Sequence, residues 1–292
     1  YSLGNFIINA GLRYEDMTIE RHDWGKSDSG RDQKATHKEN KVDLWLPSLA
    51  LSYRVNDELI LLAGVQRGFA PPAPGNEETD NEESVNYELG LRYNAKAFNG
   101  EALVFYSDYS NMHGNCTASQ GCEDDSIGDQ YNAGAVEVSG LELKAGYEFS
   151  VASVQIPLNL TYTWTETEFV NDFSSKLDTW GSVSKGDELP YVPDNQLQLT
   201  LGLVTDQWRS DLLVRYMSEM RTSAGQGSIL PGERIASRTV VDLAAHYNLA
   251  ENQEITLTID NLLDQEYIST KTHGSIMVGK PRTLMLGYKY SF

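Results

Sequence analysis

The sequence lacks long hydrophobic runs and an excess of basic residues. Its longest apolar run, 59–65, is far shorter than the roughly 20 residues of a membrane-spanning helix, which excludes a helical membrane protein. Lys and Arg number 23 against 42 Asp and Glu, a formal net charge of −19. This balance argues against nucleic-acid binding, because phosphate-backbone binders carry clustered basic residues. The mean hydropathy of −0.42 leaves transmembrane β-barrels open, since their alternating strands average to a polar value.

Cysteine is also scarce. The 292 residues contain only Cys116 and Cys122, too few for a closed zinc site. A disulfide across a small loop in an oxidising compartment is the better interpretation, with a stabilisation of about 2 kcal/mol.

What the sequence does contain is alternation with a period of two. In one segment Leu197, Leu199, Leu201 and Leu203 alternate with polar residues or glycine, which gives a strand with one apolar face. No helical period competes, so the chain is predicted to be all-β. About twelve such strands are predicted, near 5–16, 43–54, 58–69, 84–94, 100–110, 134–149, 155–166, 195–204, 208–218, 237–247, 254–262 and 283–292. The apolar parity slips at Gly140, which suggests a bulge.

The predicted connections alternate between short turns and long loops. Five short turns would lie at one rim, and six long loops, near 21–42, 70–83, 111–133, 167–194, 219–236 and 263–282, at the other. Tyrosine and tryptophan recur near strand ends, where amphipathic rings settle at a membrane boundary. A soluble β-sandwich mixes loop lengths at both ends, so an antiparallel up-and-down transmembrane β-barrel is favoured.

Several motifs resemble a known family. Before the last strand stands Asn261-Leu262-Leu263-Asp264-Gln265-Glu266-Tyr267, followed by Gly279-Lys280-Pro281-Arg282 and a strand that ends in Phe292. These resemble the C-terminal region of TonB-dependent outer-membrane receptors. Further similar motifs occur in family order at 67–72, 83–90, 130–134, 140–142 and 189–193. The resemblance spans about 42–292, and the block 67–72 with the cysteine loop is most similar to the ferric dicitrate group.

The resemblance implies a 22-stranded barrel with an N-terminal plug. We therefore expect residues 1–292 to form a single partial outer-membrane barrel domain, the C-terminal half of such a barrel, without plug or TonB box. The implied location is the bacterial outer membrane. The implied partners are outer-membrane lipid and lipopolysaccharide, the TonB complex through the missing plug, and a ferric chelate as transported ligand. No covalently bound cofactor and no nucleic acid are expected.

Ligand recognition is expected in the long loops. A ferric citrate complex is anionic, and arginine binds carboxylates through paired, charge-assisted hydrogen bonds. Arg221 and Arg234 flank the glycine-rich segment 224–227, and replacing both with Ala is expected to weaken binding at least tenfold, about 1.4 kcal/mol. The other candidates are Arg67, Lys271 and His273, although the parity of Arg67 opposes that of the lumen-facing Gln66.

No metal ligand and no catalytic residue are predicted. The acidic loops near 77–83 and 123–129 allow calcium binding, but a solvated charge run explains them better. Five histidines occur without a nucleophile elbow, a phosphate loop or a His-x-x-x-His pair. The competing functions are a passive diffusion barrel and, with less support, a barrel enzyme.

Overall fold

The computed structural model describes residues 1–25, 28–33, 35–74, 79–116, 130–132, 134–177, 179–272 and 275–292. One short 3₁₀ helix, Pro231–Glu233, is present. Among the described residues, no helix is long and apolar enough to cross a membrane. The strands of the described residues, in chain order, are β1 (Ser2–Leu3), β2 (Phe6–Asp23), β3 (Thr36–Arg54), β4 (Leu59–Ala70), β5 (Glu82–Ala95), β6 (Phe98–Ser110), β7 (His113–Asn115), β8 (Gln130–Asn132), β9 (Val136–Val151), β10 (Val154–Phe169), β11 (Phe173–Ser174), β12 (Ser182–Val183), β13 (Asn195–Val204), β14 (Trp208–Met217), β15 (Met220–Arg221), β16 (Arg234–Ile235), β17 (Arg238–Ala250), β18 (Gln253–Asp260), β19 (Ile268–Thr272), β20 (Ser275–Val278) and β21 (Thr283–Tyr290).

Thirteen of these strands form one antiparallel sheet in which neighbours in space follow one another along the chain. Its order is β1-β2-β3-β4-β5-β6-β9-β10-β13-β14-β17-β18-β21. The all-β, up-and-down prediction is confirmed, and the twelve predicted strands correspond to this sheet without the two-residue β1. Among the described residues, β21 pairs only with β18 and does not reach β1 or β2, so the sheet is open.

The rims of the sheet differ as predicted. Short turns at 55–58, 96–97, 152–153, 205–207 and 251–252 join strands at one rim. The opposite rim carries the long connections 24–35, 71–81, 111–135, 170–194, 218–237 and 261–282. Four of these long loops contain their own small hairpins, β7–β8, β11–β12, β15–β16 and β19–β20.

The outer face of the sheet is apolar between two rows of aromatic rings. Phe6 and Tyr53 stack with centroids 4.5 Å apart near the short turns, and Tyr14 and Trp45 stack at 4.7 Å nearer the long loops. Eight residues separate these pairs along β2, about 27 Å at the rise of a strand. At the strand tilt of an outer-membrane barrel this length corresponds to about 20 Å across the membrane, close to the roughly 25 Å apolar band of such barrels. Leu12, Leu51 and Leu61, within it, are 66%, 38% and 42% exposed, and a contiguous exposed apolar surface of this kind is typical of a membrane-facing sheet rather than of a soluble sandwich.

The predicted bulge at Gly140 is wrong. Pairing along β9 continues without a shift, with Gly140 opposite Phe105 on one side and Thr165 on the other. A Cβ at this position would collide with the carbonyl oxygen of Trp164 and the ring of Phe105, so the glycine permits close packing. Val136 lies four residues before Gly140 on the same strand and is buried under the long loops. This burial makes an inner-face position apolar, and the apolar parity therefore changes along β9.

Candidate functional site

The larger buried apolar cluster of the described residues lies at the long-loop rim, where the ends of β9 and β10 meet the long loops. We call it the loop core, and it consists of Cys116, Val136, Phe169, Leu177, Trp180 and Val183. Phe169 is fully buried, with ring centroids 5.4 Å from Phe173 and 6.1 Å from Trp180. Three loops contribute, since Ala224 of the loop 218–237 also packs against the cluster. Burial of this kind turns neighbouring loops into one packed body.

Backbone hydrogen bonds join the same loops. The amide of Ala224 donates to the carbonyl of Thr179 at 2.8 Å, and the amide of Glu188 donates to Gly225 at 2.9 Å. The amide of Val170 donates to the carbonyl of Ala135 at 2.9 Å. The loops 111–135, 170–194 and 218–237 therefore share both an apolar core and a main-chain network.

Arg221 supports this assembly from within. Its side chain is 6% exposed, and its Nε lies 2.7 Å from Glu188 Oε2. Its Nη2 donates to the carbonyl of Gly227 at 3.1 Å, while Gly225 leaves room for the guanidinium. The glycine-rich segment 224–227 is therefore folded over Arg221, whose charge is already balanced by Glu188.

Arg234 lies directly opposite Arg221 in the small hairpin β15–β16. Unlike Arg221 it is exposed, and its Nη1 is 3.5 Å from Glu219 Oε2. An exposed pair at this distance contributes little stability. The Arg234 guanidinium therefore remains exposed to solvent.

Lys271 lies on β19, beside the same hairpin. Its Nζ donates to the carbonyl of Gly232 at 3.3 Å, and its own carbonyl accepts a hydrogen bond from the Tyr191 hydroxyl. Burial raises the pKa of Tyr191. Arg234 and Lys271 are thus brought to one side of the rim, whereas His273 lies outside the described residues.

Arg67 lies on the outer face, as its parity predicted. Its guanidinium is 2.5 Å from Glu83 and donates to the carbonyl of Trp45 at 3.5 Å. Gln66 faces the other way, with Asn86 and Glu88 on the inner face. Arg67 therefore contacts strands β3 and β5 and not the loops that carry Arg234 and Lys271.

The remaining predictions concern the disulfide and the acidic loops. Cys116 is disulfide-bonded and buried in the loop core, while Cys122 lies outside the described residues. Glu82 accepts the amide of His113 at 2.8 Å, and Glu83 pairs with Arg67, so both carboxylates are already in use. Glu77, Glu78 and the acidic residues at 123–129 lie outside the described residues.

A recess on the inner face, below the loops, was missed from the sequence. It has a volume of about 400 Å³, and among its lining residues are Thr161, Thr163, Gln196, Gln198, Arg215, Arg238 and Tyr267. Cross-strand pairing places Arg238 opposite Met217 and Met217 opposite Gln196, so they form one row. Arg215 is neutralised by Asp242. We call this surface the inner recess.

Arg238 is the distinctive group of the inner recess. Its Cζ lies 5.3 Å from the ring centroid of Tyr267, and its Nη1 donates to the carbonyl of Ile268 at 3.4 Å. It has no ion pair among the residues that the structure describes. The sequence signal was its parity, which matches that of Asp242 on β17 and so places it on the inner face.

The family-like motif at 261–267 holds Tyr267 in position. Asn261 is buried with a φ of +51°, and its side chain bonds the carbonyls of Gln265 and Lys280 and the amide of Gln265. The Tyr267 ring lies where a Cβ of Gly279 would stand. The two C-terminal motifs are thus one packed unit beneath Arg238.

The sheet is open and antiparallel, and it has an apolar outer face, rows of aromatic rings and long loops at one rim. These are the features of the wall of an outer-membrane β-barrel. The family model for the TonB dependent receptor-like β-barrel matches residues 1–262. The chain belongs to this family of bacterial outer-membrane proteins.

Individual relatives agree with this assignment. The ferrienterobactin receptor of Escherichia coli K12 is 24% identical over 278 residues, 89% of this chain and 34% of that protein. The vitamin B12 transporter of Photobacterium profundum is 23% identical over 77% of this chain and 35% of its own length. A ferric citrate transporter structure, unliganded, superimposes with a TM-score of 0.73 and 21% identity, over 99% of this chain and 43% of that one. The chain thus spans about a third of the length of these curated relatives.

Proposed function

We propose that this chain supplies wall and long loops to a TonB-dependent receptor that imports a ferric chelate, a siderophore or ferric citrate. The observation that carries the proposal is the inner recess with Arg238, which has no ion pair among the described residues and lies below loops that are packed into one body. Chelates of ferric iron with carboxylate or phenolate groups are anionic, and a guanidinium binds such oxygens through paired hydrogen bonds. No catalytic role is proposed for any residue.

The loop residues complete the proposed entry route. Arg234 and Lys271 stand exposed or half-buried at the rim above the recess and are proposed as first contacts for the ligand. Arg221 is proposed to act indirectly, by holding the segment 224–227 in place. Because the overall charge is −19, local cations at the rim are needed to attract an anion.

The open edges of the sheet support a larger assembly. In a bilayer every backbone amide and carbonyl must be paired, so spanning sheets close into barrels. The outer edge of β21 and that of β2 above Ile7 have no partner among the described residues. We infer that residues 1–292 form one partial barrel domain that further strands complete, with a plug and a TonB contact outside this chain.

Uptake of radiolabelled iron tests the proposal. Cells whose only receptor is the full-length polypeptide are given ⁵⁵Fe-citrate or ⁵⁵Fe-enterobactin, with and without a functional TonB. We expect saturable uptake of at least one probe that is lost without TonB, and at least tenfold weaker binding for Arg238→Gln. Arg209→Gln is the matched control, since Arg209 pairs with Asp211 near the short-turn rim. Uptake that persists without TonB would contradict the proposal and favour a passive barrel.

A further inference from the structure

The hairpin formed by β2 and β3 extends well beyond the rest of the sheet. The two strands pair from Phe6 opposite Tyr53 to Asp23 opposite Thr36, whereas β3 pairs with β4 only as far as Ser48 opposite Gln66. The upper half is therefore a two-stranded ribbon. His22 lies eight residues beyond Tyr14 of the upper aromatic row, about 27 Å along the strand, which places it in the external medium.

Four side chains with metal-ligand chemistry share one face of this ribbon. His22 lies opposite His37, and Glu20 lies opposite Glu39, and residues directly opposite each other project from the same face. The two imidazole rings have centroids 4.8 Å apart. Ligand atoms of Glu20, His22 and His37 all lie within 4.8 Å of one another.

Glu39, the fourth residue of this face, is paired with Lys41. Glu39 is 2.8 Å from Lys41 Nζ and 3.6 Å from His37 Nε2. Glu20, whose Oε2 is 3.5 Å from His22 Nε2, is therefore the carboxylate available to complete the set.

The end of the ribbon is ordered by its own contacts. Asp28 is buried and accepts the amides of Asp32 at 3.0 Å and Gln33 at 2.9 Å. The Arg31 guanidinium stands 5.2 Å above the Trp24 ring, whose centroid is 6.1 Å from that of His22. These contacts keep the two strands in register at the histidine pair.

From this geometry we propose that Glu20, His22 and His37 form a binding site for a divalent transition metal on the exposed face of the ribbon. Two imidazoles and one carboxylate suit Zn²⁺ or Cu²⁺, which bind nitrogen at about 2.0–2.1 Å. Ligands around tetrahedral zinc are then about 3.3 Å apart. The exposed side chains reach that spacing by rotation about their χ angles, and water fills the open coordination position.

Metal titration of the untagged full-length polypeptide in detergent tests the site. With Cu²⁺, we expect one tight equivalent per chain whose electron paramagnetic resonance spectrum carries splitting from two nitrogens. His22→Ala or His37→Ala should weaken binding at least tenfold and leave one coupled nitrogen. Glu20→Gln should weaken binding more than Glu39→Gln does, because Glu39 is already paired with Lys41.

His246→Ala is the matched control. His246 also contacts a carboxylate, with its Nδ1 2.6 Å from Glu254, but Thr256 rather than a second histidine lies opposite it. Copper affinity should be unchanged in this variant. The site is refuted if the double variant H22A/H37A binds Cu²⁺ as tightly as the wild type while its circular dichroism shows an intact sheet. The result of this titration does not bear on the uptake proposal, because that proposal does not involve this ribbon.

Discussion

Replacing Arg221 should loosen the long loops before any ligand is present. Its guanidinium makes two hydrogen bonds, to Glu188 and to the carbonyl of Gly227, and bonds to a charged group contribute about 1.5–3 kcal/mol each. Glu188 is 44% exposed, so solvent screening reduces its share. We therefore expect Arg221→Ala to cost about 3 kcal/mol locally, which is roughly a hundredfold rise in loop opening.

Hydrogen exchange measures this change residue by residue. The amides of Glu188, Tyr191 and Ala224 donate across the loops and should exchange roughly a hundredfold faster in Arg221→Ala. Arg234→Ala is the control from the opposite strand, and its exposed ion pair predicts a change below about 0.5 kcal/mol. Equal protection in the wild type and Arg221→Ala would refute the supporting role and return Arg221 to the ligand contacts.

Three further substitutions test the packing around the site. Asn261→Ala removes three side-chain hydrogen bonds and should cost about 3 kcal/mol, seen as faster exchange across 261–282; unchanged exchange would count against this anchor. Gly279→Ala should displace the Tyr267 ring and cost about 1–3 kcal/mol in urea unfolding, and wild-type stability would show that the ring contact is absent. Phe169→Ala should cost about 3–5 kcal/mol and expose the loop core to protease, whereas wild-type protease resistance would mean that the loops are not packed around it.

The architecture was predictable because membrane strands have a simple sequence rule. Each wall strand presents one face to lipid, so apolar residues recur at every second position, as in Leu197 to Leu203. The alternation of short turns and long loops along the sequence then identified the two rims of the sheet. The motif at 261–267 was found by its resemblance, and Asn261 supplies the physical reason, since a buried residue at positive φ that bonds three backbone groups suits few side chains.

The loops and the site followed less closely from sequence. The change of apolar parity at Gly140 was misinterpreted as a bulge, because the burial of Val136 depends on Phe169 and Trp180, which reach it only through tertiary packing. Arg221 resembled a free cation because its partner Glu188 is 33 residues away in the chain. No periodic pattern marks such contacts, since irregular loops have no fixed side-chain period. Arg238 carried a usable signal in its strand parity, which places it on the inner face.

The central claim is that this open sheet is one part of a larger closed barrel in the outer membrane. The intact mass of the natural polypeptide, purified from outer-membrane fractions, tests it most directly. We predict a mass more than twice the 32.6 kDa of this chain, because the proposed receptor includes further strands that close the barrel and a plug. A mass near 32.6 kDa would contradict the claim, since thirteen strands would then have to close or assemble by themselves.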